Sequence, residues 1–180
     1  MKRDFFRKVG FGIAPGESVP DDPLAWAQAQ MDTVPDLSWK GDIPSSEALM
    51  DHYAHWIYTD QKVLRKKHKK DRKAYKEAKD KLRYETGLRF FENLELAIRH
   101  DAALNSGAPV FERLWFFWSN HFAITDKDFM PEFATGAYHR EILRTRMTGS
   151  FTDLVKSATT SWAMTRNLDN SESLIYVDIS

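Results

Sequence analysis

A chain of 180 residues with 42% hydrophobic and 13% aromatic side chains has enough apolar material for one domain with a sizeable core and too little for two. It contains no cysteine, which excludes a disulfide framework, a thiolate metal site and a cysteine nucleophile. Lys and Arg balance Asp and Glu at 26 each, but unevenly: residues 62–83 carry twelve Lys/Arg against three acids, a local +9 that leaves −9 on the remainder.

The opening, MKRDFFRKVGFGIAPGE, has basic residues but no apolar run of secretory-signal length before Gly10, Gly12 and Pro15 interrupt it. No stretch approaches the ~20 apolar residues of a membrane span, and localisation stays open. GFGIAPG does not make a phosphate loop, because no strand precedes it and no lysine follows at the required spacing. Asp22 before Pro23 predicts an N-cap with proline at the first helical position, opening a helix whose Leu24, Trp26 and Met31 make apolar contacts. Residues 36–44 read as a loop.

From Ser45 to Thr86 there is neither Gly nor Pro, and Leu49, Tyr53, Trp56 and Ile57 recur at helical spacing. A single helix of that length would extend ~60 Å, so the basic segment from Lys62 to Arg83 is expected to protrude, as one long helix or as a helical hairpin. Its centre, Arg65 to Lys73, has no apolar and no aromatic side chain. That disfavours base stacking, and with it nucleic acid as a partner. A like-charge block of this kind is most often a solvated face.

After Gly87, Leu88, Phe91, Leu94, Leu96 and Ile98 restore an apolar face, which Asn105-Ser106-Gly107 ends. The stretch PVFERLWFFWSNHFAIT, from Pro109 to Thr125, is the densest in aromatics. Val110, Leu114, Phe117 and Trp118 form one stripe, with Phe111 and Trp115 beside it, and predict a helix buried on most of its circumference. Glu112, Arg113, Asn120 and His121 are polar groups on that rod. They must face water or one another, since a buried polar group without a partner costs ~1–3 kcal/mol, and they are the candidate catalytic residues. Ser119 cannot form a dyad with His121, because residues two apart on a helix point to different sides.

In the next helical segment Arg140 and Arg144 share a face and are the candidate anion-binding residues, guanidinium forks being suited to phosphate, sulfate or carboxylate. The structural alternative pairs them with Asp153 or Asp169, or Arg144 locally with Glu141. Ser150 and Asp153 have the spacing of a capping box, opening a helix with Phe151, Leu154, Val155, Ala158 and Trp162 on its core side. His52 and His55 could share a helical face, but no HExxH or comparable set accompanies them. The sequence therefore indicates no metal site and identifies no cofactor.

ERLWFFWSNHFAIT, followed by YHREILRTRMTGSFTDLVKSATTSWAMTRNLDNSES, resembles the signature stretch of the domain of unknown function 1800 family, and FRKVGFGIAPGE is similar to that family's start. The resemblance implies a largely helical bacterial protein with no established reaction, in a family whose members are usually exported. Family members are longer and carry an Asn-x-Ala-Arg-Glu type motif after the Leu-Asp-Asn region. Here the sequence runs instead into an apolar tail, Leu174 to Ser180, so the resemblance implies an amino-terminal portion of a longer family domain.

The resulting expectation is an all-α, irregular bundle of about six helices over residues 1–180, with residues 62–83 as a charged arm. Its leading function is a binding or structural module without a complete catalytic site, meeting another protein or an exported polymer. The alternatives are a hydrolase-like or anion-handling enzyme completed by downstream residues, and nucleic-acid binding through the arm.

Overall fold

Helix follows helix along the chain, and local signals say where most of them begin. The computed structural model describes residues 2–13, 16–85, 88–125, 129–168 and 170. The first helices are α1 (Lys2–Val9) and α2 (Pro23–Ala29). Then α3 (Ser46–His55) runs through a π-helical turn (Trp56–Asp60) into α4 (Gln61–Lys67), and α5 (Arg72–Glu85) packs back against α4. Next come α6 (Leu88–Asn105) and α7 (Pro109–His121). A second π turn (His139–Leu143) joins α8 (Phe129–Tyr138) to α9 (Arg144–Arg146), and α10 (Phe151–Thr160) and α11 (Trp162–Asn167) complete the order.

Side chains cap these helices as the sequence suggests. Asp22 accepts from the N–H groups of Leu24 and Ala25 at 3.0 Å, Ser45 from Ala48 at 3.1 Å, and Ser150 from Asp153 at 3.1 Å. Each satisfies donors that the first helical turn leaves free. The fold is all-α, with no strand among the described residues; counting each bent rod once gives nine helices there, more than the six expected. One reason is Ser161, whose extended backbone breaks the last segment in two. Its hydroxyl donates to the Ala158 carbonyl at 2.8 Å and accepts from the Met164 N–H at 3.2 Å, closing one helix and capping the next.

The main core gathers Ala102 from α6, Phe111 and Trp115 from α7, Tyr138 from α8, and Leu143, Met147, Leu154, Ala158 and Met164 from the elements after it. A second cluster joins Leu49 and Trp56 to Ala137. The buried face of α7 is Phe111, Glu112, Trp115 and Ser119. This corrects the expected stripe: Phe117 is 54% exposed, while Leu114 and Trp118 are only partly buried. Leu24, Leu96 and Phe151 are likewise exposed, so α2, α6 and α10 bury narrower faces than their apolar residues suggest. No helix of the described residues is long and apolar enough to cross a membrane. Asp169, expected as an arginine partner, and the tail from Leu174 lie outside the described residues.

Candidate functional site

The polar residues of the second half do not assemble at one point. Glu112, 0% exposed on α7, receives the Arg144 guanidinium at 2.6 Å from α9. Arg144 lies over the rings of Trp115 at 4.7 Å and Phe111 at 4.8 Å, and it donates to the Pro35 carbonyl at 2.8 Å. Because its charge is 2% exposed, it depends on these partners: a buried ion requires both a counter-ion and full hydrogen bonding.

Arg140 makes a parallel arrangement on the other side. It grips Glu95 of α6 through two nitrogens at 2.7 and 3.3 Å, reaches Glu141 at 3.3 Å, and donates to the Pro44 carbonyl at 2.7 Å. Glu141 in turn accepts from the Ser46 N–H at 3.0 Å and from the Ser46 hydroxyl. A Cβ at Gly136 would fall 2.1 Å from the Glu95 side chain, so only glycine lets α8 approach closely enough for this grip.

Together the two arginines hold both ends of the loop before α3. Its carbonyls have no helical partners, and a buried carbonyl needs a donor. Arg144 and Glu141 do not pair with each other, and Asp153 is hydrogen-bonded to Ser150 at 2.8 Å instead of to an arginine.

Arg113 points elsewhere, donating to the carbonyls of Arg7 at 3.0 Å and Gly10 at 2.7 Å, which caps the end of α1. Gly12 completes that turn with φ +100°, a conformation other residues rarely adopt. Asn120 and His121 are exposed at the far end of α7, the imidazole stacked on Phe117 at 6.0 Å. Ser119 is buried, with a hydroxyl that has no partner among the described residues. Of the six sequence candidates, only Glu112 and Arg144 meet. No group of three His, Cys, Asp or Glu among the described residues could hold a metal.

Two residues that the sequence pattern did not single out lie beside this pair. The Arg99 guanidinium stacks over Phe116 at 4.1 Å and approaches Trp115 at 5.9 Å, and its terminal nitrogen is 3.5 Å from Nδ1 of His139. Since a guanidinium can only donate, Nδ1 accepts and the ring proton sits on Nε2. Burial, and then the Arg99 charge, push the His139 imidazole down to about 3. Burial also lowers Arg99 from its ordinary value and raises the Tyr138 phenol.

His139 is thus neutral in the fold and titrates at its ordinary value when unfolded. Below about pH 6.5 the unfolded chain takes up a proton that the folded chain refuses, so stability falls with pH until about 3. From pH 6.5 to 5 the expected loss is about 2 kcal/mol. Urea midpoints across that window should show it, and a His139→Gln variant should lack that component. Parallel profiles for the two proteins would mean that the folded imidazole takes up its proton as readily as the unfolded one.

The other concentration of charge is the arm. It is the helical hairpin of α4 and α5, with Asp71 capping α5 through the Ala74 N–H at 2.9 Å. Lys66, Lys67, Lys69 and Lys70 are exposed and make no ion pair among the described residues. At the turn, a cleft of about 430 Å³ is lined by Arg65, His68, Lys69, Lys70, Arg72 and Tyr75. The arm therefore offers cations and one phenol, where the core offers cations already matched.

A family model described as "Protein of unknown function (DUF1800)" matches residues 4–174 of the chain. No curated protein and no solved structure matches it.

Proposed function

The chain belongs to the DUF1800 family, described as proteins of unknown function, and from that premise we propose that it works as a binding module that docks an anionic polymer on its basic hairpin. The observation that carries this reading is a contrast between two sets of cations. Arg140 and Arg144 face carboxylates and loop carbonyls inside the bundle. Lys66, Lys67, Lys69 and Lys70 of the arm face water and make no ion pair among the described residues, on an element outside both core clusters. Like charges held together on one side of a molecule raise its free energy, and a polyanion relieves that repulsion while releasing its own counter-ions.

The catalytic candidates support the same reading by their separation, since a general acid or base must reach the substrate within hydrogen-bond distance. Glu112 is enclosed with Arg144, and Asn120 and His121 lie two turns further along α7.

Fluorescence anisotropy with labelled poly-L-glutamate tests the function. The full chain should bind at ~50 mM salt and lose most of its affinity by ~200 mM. A Lys66→Glu/Lys69→Glu/Lys70→Glu variant should not bind at either concentration. Failure of the parent chain to bind, or equal binding by the charge-reversed variant, would refute the proposal.

A further inference from the structure

Within the arm, one arginine is held differently from its neighbours. Arg65 Nε donates to the Tyr75 hydroxyl at 3.3 Å, and that hydroxyl donates to Oε1 of Gln61 at 3.3 Å. Gln61 is 6% exposed at the base of the arm. The relay runs from a buried amide, across both legs of the hairpin, to an exposed guanidinium at the cleft. It uses the Nε and leaves both terminal nitrogens of Arg65 without a described partner.

A solvated arginine that served only to add charge would gain nothing from such fixing. A guanidinium oriented in advance can instead form two parallel hydrogen bonds without first losing its rotamer freedom. The groups around it are cationic or hydrogen-bonding: Lys69, Lys70, Arg72 and His68 share the cleft. No carboxylate lines it. Tyr75 is half-buried, its hydroxyl is engaged in the relay, and among the described residues it is the one Phe, Tyr or Trp side chain that lines the cleft, so successive bases would find no row of rings to stack on and the recognition centres on a charged head.

We infer that the hairpin tip is a phosphate subsite, formed by Arg65 and Arg72 with Lys69 and Lys70, and that Tyr75 is its positioning residue. This rests on the arm being a polyanion-binding element, and it narrows the partner from any anionic polymer to a phosphate-bearing one. Phosphate suits the cleft better than a carboxylate because its oxygens are arranged tetrahedrally, so a fork and an ammonium group can meet it from different directions, whereas the two oxygens of a carboxylate lie in one plane.

The experiment compares labelled inorganic polyphosphate with labelled poly-L-glutamate of equal charge, binding to the full chain at fixed salt. The parent chain should prefer polyphosphate by about tenfold, the scale of one lost bidentate contact. Arg65→Lys keeps the charge but removes the fork, and Tyr75→Phe keeps the ring but removes the relay. Both should bring the preference close to unity by weakening polyphosphate binding far more than poly-L-glutamate binding, with helicity by circular dichroism matching the parent. Equal affinity of the parent for the two polymers, or a preference that survives both variants, overturns the phosphate subsite while leaving the arm's polyanion binding intact. Binding of neither polymer overturns the arm reading itself.

Discussion

Glu112→Ala should destabilise the protein by about 3–5 kcal/mol, the range for leaving one member of a buried ion pair without its partner. The carboxylate is 0% exposed and Arg144 2% exposed, so water cannot replace what is removed. The Pro35 carbonyl and the rings of Phe111 and Trp115 would remain around the guanidinium. A carbonyl dipole and two ring faces solvate a cation less well than a carboxylate does, by enough to leave most of the penalty in place. Urea melts of Glu112→Ala, Arg144→Met and the double variant measure the coupling. The double variant should be more stable than Glu112→Ala alone, since it removes the orphaned charge along with its partner. If Glu112→Ala costs under ~1 kcal/mol, water reaches the pair and the enclosed geometry is wrong. Polyanion binding by the arm should be unchanged in whichever of these variants remain folded.

The sequence made the helix starts legible because a cap is a local event: Asp22, Ser45 and Ser150 act on N–H groups two or three residues away. The arm was legible too, since a run of like charge needs no knowledge of what lies across the fold. What could not be read is the pairing inside the bundle. Arg144 meets a carboxylate 32 residues earlier in the chain and Arg140 one 45 residues earlier, and the spacing rules for neighbours on a single helix say nothing of such distances.

The expected Glu141–Arg144 pair illustrates this. Between them the helix passes through a π turn, and Glu141 is drawn to Ser46 and Arg140 instead. The buried face of α7 was misread for a related reason. Counting apolar residues favoured Phe117, whereas the core took Glu112, because Arg144 arrives from another helix to neutralise it. Arg99 and His139 gave no signal of their own: each looks like an ordinary polar position until α6 and the second π turn bring them together.

Trp115→Ala should cost about 3–5 kcal/mol, the general range for truncating a buried aromatic. Trp115 is 2% exposed at the centre of the main core, and three kinds of contact end with it. Loss of its apolar surface weighs most, since burying a large side chain is worth about 1.5–3 kcal/mol before the cavity left behind is counted. Its ring face also meets the Arg144 guanidinium at 4.7 Å, with that of Arg99 at 5.9 Å. Its Nε1–H donates to the His139 carbonyl at 2.8 Å, the same carbonyl that closes the π turn by accepting from the Arg144 N–H. Trp115→Phe separates these contacts. It keeps a ring for the cations and most of the volume, and the carbonyl keeps one donor, so the hydrogen bond alone should cost about 1 kcal/mol. Denaturant melts should therefore rank the parent above Trp115→Phe and both well above Trp115→Ala. Should Ala cost no more than Phe, the ring is not packed as the core requires, and Arg99 and Arg144 must be stabilised by something other than the face of Trp115.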